Sequence, residues 1–190
     1  MQKMQTRDNI RDMLCMVNSM TLRQIIRFFS SETRPEIISR ILRDMVERRE
    51  ILYDRIPGKY SCLGSPIYEP KLEKRRELAV EAISSLGSNS VYAVYALDYP
   101  NLFEVCTDNS GTYDYAVIEN VTEAITAARY RANGIPLGVE DDTVHFAILT
   151  REEKLKTLSK DLLHTGFDYV ILIDPKTYEI SYHTLKNDNG

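Results

Sequence analysis

Apolar side chains recur at helical spacing three times in the first quarter of the chain, each time behind a residue able to cap a helix. Thr6 can cap the first, in which Ile10, Met13, Leu14 and Val17 form one stripe while Arg7 and Arg11 lie off it. The second opens on Thr21-Leu22-Arg23-Gln24, whose Thr and Gln have capping-box spacing, with Met20 and Ile25 placed as a hydrophobic staple. Leu22, Ile25, Ile26 and Phe29 form its apolar face, and the polar run Ser30-Ser31-Glu32 ends it. The third starts near Thr33. Thr33 and Glu36 again have box spacing and Pro35 suits a first turn that needs no amide donor, so the cap is placed to within a residue or so. Ile37, Ile38, Ile41, Leu42, Met45 and Val46 then repeat at helical spacing, which turns Ser39, Arg40 and Arg43 outward, with Arg34 at the start of that face.

The pattern then shortens to strands. Residues 51–55 and 59–63 read as two short strands joined through Ile56-Pro57-Gly58, where Pro followed by Gly fits the centre of a type II turn. Capped helix, turn, capped helix and hairpin together predict a winged helix-turn-helix. Arg55 falls at the base of the wing and Lys59 at its tip, where a cation can approach a sugar-phosphate backbone. Arg in the first turns of a recognition helix can reach guanine edges or phosphates in a major groove. The competing reading of the same helix is a solvated charged face, given Glu36, Asp44 and Glu47 nearby.

Residues 64–70 form the Pro/Gly-rich connector of the chain, which places a 1–63 domain before it and a 71–190 domain after it. The second domain starts with a charged helix over 71–86, carrying Leu72, Ala79, Ala82, Ile83 and Leu86 inward and closed by Gly87. Strands follow at 91–97, 102–107 and 113–118, the first almost wholly apolar, as suits a strand covered on both faces. Asn120 with Glu123 opens an Ala-rich helix to Ala132, and an acidic loop spans 135–142. A strand at 143–149, a helix capped by Thr150 and Glu153, strands at 167–173 and 178–185, and a polar tail from Lys186 complete the chain. The fold class is therefore α+β: a winged helix-turn-helix followed by a mixed-sheet α/β domain with helices packed on it.

Charge sharpens this division. The chain has 24 Lys plus Arg against 28 Asp plus Glu, a net charge of -4, which argues against a protein that coats nucleic acid nonspecifically. Residues 1–70 hold 12 basic and 9 acidic side chains, net +3, and residues 71–190 hold 12 and 19, net -7, so phosphate contact belongs to the first part. Cys15, Cys62 and Cys106 lack paired spacing and point to a reducing cytoplasm without a structural disulfide. The opening residues have no apolar run that would make a signal peptide, and no stretch is apolar for long enough to cross a bilayer.

Catalytic patterns are weak. The chain has no P-loop, Gly-x-Gly-x-x-Gly, Gly-x-Ser-x-Gly or His-Glu-x-x-His, and no cofactor is implied. His145, His164 and His183 recur at an interval of 19 that matches no motif and read as ordinary core-edge or surface histidines. Tyr92, Tyr95, Tyr113 and Tyr115 fall on adjacent strands, where aromatics pack across a sheet more often than they bind ligands.

The order α, β, β, β, α, β in the second domain resembles the core of the restriction-endonuclease-like nucleases, which implies two carboxylates and a Lys around a divalent metal. Asp98, Glu104, Asp108, Asp114 and Glu119 supply carboxylates, but Cys106, Ala116 and Val121 stand where the Lys belongs, so an inactive relative is expected and not an enzyme. The head over residues 21–63, with Phe103-Glu104-Val105-Cys106-Thr107-Asp108 and the strand after it, resembles winged-helix proteins of bacterial plasmids and integrative elements, similar to the replication-relaxation family. That resemblance implies sequence-directed binding of double-stranded DNA in control of replication, mobilisation or transcription of a mobile element. Arg34, Ser39, Arg40, Arg43, Arg55 and Lys59 are the expected contact residues. A homodimer doubles the readout of one small head, and the second domain is left to dimerise or to bind a protein partner. The alternatives are a ligand-responsive transcriptional regulator with a pocket in the second domain, a metal-dependent nuclease, and a winged helix used only for protein contact.

Overall fold

A computed structural model describes residues 2–108, 111–134 and 142–185, and the side chains of 6–108, 111–133 and 142–185 within them. The protein is mixed α+β and divides into two compact units, Met1–Tyr95 and Ala96–Gly190. Most of the acidic loop expected at 135–142 and the tail from Lys186 lie outside the described residues.

The first unit contains α1 (Gln2–Val17), β1 (Ser19–Thr21), α2 (Leu22–Phe29), α3 (Pro35–Glu47), β2 (Ile51–Asp54), β3 (Lys59–Cys62) and α4 (Pro70–Ser84). Its core gathers Ile10, Leu14 and Val17 of α1, Ile25, Phe28 and Phe29 of α2, Ile38, Ile41, Leu42 and Met45 of α3, with Met20 and Ile51 of the sheet. The expected capping box of α2 is present. Gln24 donates its backbone amide to Thr21 Oγ1 at 3.3 Å, and Thr21 donates its own to Gln24 Oε1 at 2.9 Å.

Several local expectations are corrected. The first helix starts upstream of Thr6, whose hydroxyl instead meets that of Thr33 at 3.1 Å, so Thr6 is not its cap. With Thr33 engaged there, Arg34 takes the N-cap position of α3, with no side-chain cap, and Pro35 begins the helix. On α2 it is Gln24 and Phe28, and not Leu22 and Ile26, that are buried with Ile25 and Phe29. The cause is α4, which packs on α2 and receives a hydrogen bond from Gln24 Nε2 at Glu77 O, 3.1 Å.

The three-stranded antiparallel sheet runs β1-β3-β2, with Met20 opposite Tyr60 and Tyr53 opposite Tyr60 on the other side. Four residues separate β2 from β3, so Asp54 faces Lys59 and Arg55 moves into the turn. Gly58 there has φ +65, the left-handed conformation that only glycine adopts without steric cost.

The expected linker at 64–70 falls inside this unit, because it is pinned to the head. Ser65 Oγ donates to Asn18 O at 3.2 Å and Asn18 Nδ2 donates to Pro66 O at 3.1 Å. Helix α4 follows and is tied to α2 and the hairpin by its acids: Glu81, fully buried, pairs with Arg23 at 2.7 Å and Arg27 at 2.9 Å. A further correction concerns the cysteines. Cys15 of α1 and Cys62 of β3 are joined in a disulfide, with Cα atoms 5.1 Å apart and the two residues 47 positions apart in sequence, and Cys106 stays free. Spacing along the chain conceals this pair because four intervening elements, β1, α2, α3 and β2, bring its ends together. The argument from unpaired thiols to a reducing compartment falls with it.

A six-stranded sheet runs in the order β4-β5-β6-β7-β8-β9. The division between the units falls within β4 (Val91–Ala96), and this strand is an edge with Tyr92 and Tyr95 exposed, not covered on both faces as its apolar sequence suggested. In the second unit β5 (Asn101–Thr107) and β6 (Thr112–Val117) pair antiparallel; β6, β7 (Thr143–Leu149) and β8 (Tyr169–Ile173) are parallel; β9 (Ile180–Thr184) returns antiparallel. The crossovers α5 (Val121–Gly134) and α6 (Glu152–His164) carry Ala124, Ala127, Leu158 and Leu162 into one cluster with Ala116, Ala147, Leu149 and Val170 of the sheet. Arg151, with no side-chain cap, precedes α6 in place of the expected Thr150 cap.

Candidate nucleic-acid interface

The buried stripe of α3 leaves Glu36, Arg40, Arg43 and Glu47 exposed, and Arg34 is exposed just ahead of the helix. Ser39, on the same side, turns its hydroxyl back to donate to Pro35 O at 2.9 Å and is half-buried. Among the described residues, Arg34, Arg40, Arg43 and Arg55 have no carboxylate within the 4.0 Å of an ion pair.

Of the acids around the end of this helix, Asp44 and Glu50 are occupied, while Glu47 stays exposed. Arg7 of α1 donates through Nε to Glu50 Oε2 at 2.9 Å and pairs through its terminal nitrogens with Glu50 and Asp44; Arg48 Nε reaches Asp44 Oδ1 at 3.0 Å. The Arg7 hydrogen bond holds both the Asp44 and Glu50 carboxyls below their ordinary values of 3.8 and 4.5. A carboxylate with a depressed folded-state value stabilises the fold above its ordinary pKa, and that contribution is lost as pH falls through the depressed value. Acid unfolding of the wild type should therefore have a component below about pH 4.5 that is smaller in Arg7→Met, where only Arg48 still holds Asp44. Circular dichroism followed from pH 6 to pH 2 reads it, and equal slopes in the two proteins would contradict the pairing.

Lys59 does not stand at the tip of the hairpin facing solvent. Only 11% of its side chain is exposed, and its ammonium lies 3.0 Å from Glu73 and 3.1 Å from Glu77 of α4. Burial works against its charge, but the two carboxylates outweigh that and hold it above its ordinary value. The hairpin turn instead presents Arg55 beside Ile56 and Pro57, all exposed.

Two residues missed from the sequence adjoin this surface. Tyr53 and Tyr60 pack ring to ring at 4.7 Å across β2 and β3, and Arg43 lies close enough to Tyr60 to favour its ionised form, while burial and Tyr53 push the phenol up. Their signal was the hairpin register: placing Arg55 in the turn makes Tyr53 and Tyr60 cross-strand partners. Arg48 and Arg49, both exposed, extend the basic surface past the end of α3.

The second unit gathers titratable groups elsewhere. Glu104, Asp114 and His145 are cross-strand neighbours on β5, β6 and β7; His145 Nδ1 lies 2.8 Å from Asp114 Oδ1, and Asp168 Oδ2 accepts the His145 backbone amide at 2.8 Å. Arg131 of α5 caps this row, donating to Thr165 O at 2.7 Å with its guanidinium 4.3 Å over the Phe167 ring. Asp114, His145 and Arg131 are nearly buried, so the row ties two strands to the helix above them. No three His, Cys, Asp or Glu among the described residues converge to hold a metal ion. His164 is exposed at the end of α6, and His183 lies 3.0 Å from Ser181 Oγ on β9. Tyr113 and Tyr115 pack across strands on Phe146, at 5.9 and 5.2 Å. No helix among the described residues is long and apolar enough to cross a membrane.

The chain matches no protein-family model and no curated protein.

Proposed function

We propose that this chain is a sequence-directed double-stranded-DNA-binding protein, with its first unit acting as a winged helix. The observation that carries the reading is the solvent face of α3, where Arg34, Arg40 and Arg43 are exposed and have no ion-pair partner among the described residues, while Arg7 occupies Asp44 and Glu50. The order α1-β1-α2-α3-β2-β3, with a hairpin closing a three-helix head, agrees with a winged helix. In this reading Arg40 and Arg43 address base edges in the major groove, and Arg34 and Arg55 address phosphates. Lys59 drops out of the contact set, and Ser39 is left to contact DNA only by giving up its bond to Pro35.

Charge distribution supports the assignment by unit. Residues 1–95 hold 16 basic and 12 acidic side chains, net +4, and residues 96–190 hold 8 and 16, net -8. The second unit would repel phosphate, which suits a module that dimerises the protein or binds a protein partner. A cytoplasmic role in replication, mobilisation or transcription of a mobile element rests on the resemblance to the replication-relaxation group.

Selection of bound duplexes from a random pool at near-physiological salt tests the reading. The expected outcome is enrichment of a shared motif, with half-sites about one helical turn apart if the protein acts as a dimer. A pool that stays unenriched after repeated rounds contradicts it.

A further inference from the structure

We propose that the Cys15–Cys62 disulfide is a thiol-controlled switch on duplex binding, with the oxidised protein the binding form. The inference rests on the DNA-binding reading above. The bond ties α1 to the last residue of β3, and the chain between its ends contains β1, α2, α3 and β2. Arg34, Arg40, Arg43 and Arg55 all lie inside the loop it closes.

The hairpin packs on α1 through β3 but is thinly buried. Of β2 only Ile51 is buried, Leu52 through Pro57 are exposed, and β3 is half-buried along its whole length. Its other fastenings are the short β1 pairing, the Lys59 ion pairs to Glu73 and Glu77, and the hydrogen bonds of Ser65 and Pro66 to Asn18, which hold the chain after β3 and leave the hairpin itself to the disulfide, the β1 pairing and those ion pairs. Opening the disulfide releases the Cys62 end of β3, where Cys62 faces Ile51 across the hairpin, and with it the placement of Arg55 and of Tyr60 beside Arg43. Helix α3 keeps its buried face, since Ile38, Ile41, Leu42 and Met45 are held by core contacts. The switch thus acts on the hairpin and leaves the fold.

Cys15 is exposed, so a small dithiol can reach it. One thiolate of the dithiol attacks Cys15 Sγ, the Sγ–Sγ bond breaks, and Cys62 leaves as a thiolate that takes a proton. The second thiol then attacks the mixed disulfide and releases Cys15. Two electrons pass from the dithiol, which ends as its own disulfide, to the protein, which ends with two thiols. Cys106 is free and takes no part.

Dithiothreitol is the probe. Fluorescence anisotropy with a selected duplex is read on the oxidised, reduced and reoxidised 190-residue chain, and on Cys15→Ser, Cys62→Ser and Cys106→Ser, while thiol titration counts the free cysteines. The wild type should go from one free thiol to three, lose at least tenfold in affinity and recover on reoxidation. Cys15→Ser and Cys62→Ser should bind at the reduced level whatever the redox state, and Cys106→Ser should behave as wild type. Hydrogen exchange separates this from the parent reading: on reduction, amides of residues 51–62 should lose protection while Ile41 and Leu42 keep theirs. Unchanged protection at 51–62, equal affinity in both states, or three free thiols before any reductant would overturn the switch. Loss of protection throughout the first unit would also overturn it, as unfolding. Failure of the oxidised protein to bind any duplex, with the exchange pattern as expected, would instead remove the DNA reading and with it the switch's target.

Discussion

Replacing Arg40 and Arg43 together by alanine should lower affinity for the preferred duplex by well over tenfold and leave the unfolding free energy within about 0.5 kcal/mol of wild type. A well-placed bidentate arginine contributes about 1–3 kcal/mol of discrimination at a base edge, and tenfold in affinity is about 1.4 kcal/mol. Both side chains are exposed and neither has an ion-pair partner among the described residues, so their removal strands no buried charge. Anisotropy against the selected duplex and a scrambled one, beside a denaturant titration, separates the two effects. Unchanged affinity would remove α3 as the reading element. Equal losses on both duplexes would make the arginines phosphate contacts without sequence readout.

The largest stability effect should come from the other pair of arginines. Glu81 is fully buried and its carboxylate is neutralised by Arg23 and Arg27, which remain 44% and 39% exposed. The two sides of this network are unequal. Removing the acid leaves two cations that can rehydrate where they stand, whereas removing the cations leaves a carboxylate with no access to water. Arg23→Met with Arg27→Met should therefore cost about 3–5 kcal/mol, the range for an uncompensated buried charge. Glu81→Gln should cost about 1.5–3 kcal/mol, the scale of a lost charge-assisted hydrogen bond. Adding Glu81→Gln to the arginine double variant should recover a large part of the loss, because the stranded charge disappears. Denaturant unfolding of the four proteins gives the cycle. A triple variant less stable than the arginine double variant would show that the network does not act through Glu81.

Local signals in this chain were legible and long-range ones were not. Thr21 and Gln24 sit three positions apart and form the box their chemistry suggests, and the stripe of Ile38, Ile41, Leu42 and Met45 is buried as its period requires. Strand β1 escaped notice because three residues carry no period of their own; it exists through pairing with β3. The same distance effect hid Cys62 from Cys15, and Glu81 from Arg23 and Arg27. It also misplaced the domain boundary: the Pro/Gly composition of residues 64–70 signals a turn in the chain, but only the acids of α4 meeting cations from α2 and β3 decide which unit the helix joins. Among the candidate contact residues, Arg34, Arg40 and Arg43 were readable from the helical period. Arg55 and Lys59 depended on hairpin register, and a shift of one residue exchanged solvent for Glu73 and Glu77 around the lysine.

The most direct measurement is the salt dependence of duplex binding by the intact chain. An electrostatically guided reader releases counterions from DNA, so the logarithm of its binding constant should fall linearly with the logarithm of salt concentration, with a slope near -0.9 for each phosphate neutralised. With Arg34 and Arg55 on the backbone, affinity for the selected duplex should fall at least tenfold between about 50 and 200 mM salt, and mutation of Arg55 to Ala should flatten the slope. Absence of saturable binding at the lower salt concentration, or an affinity that salt leaves unchanged, would contradict the account.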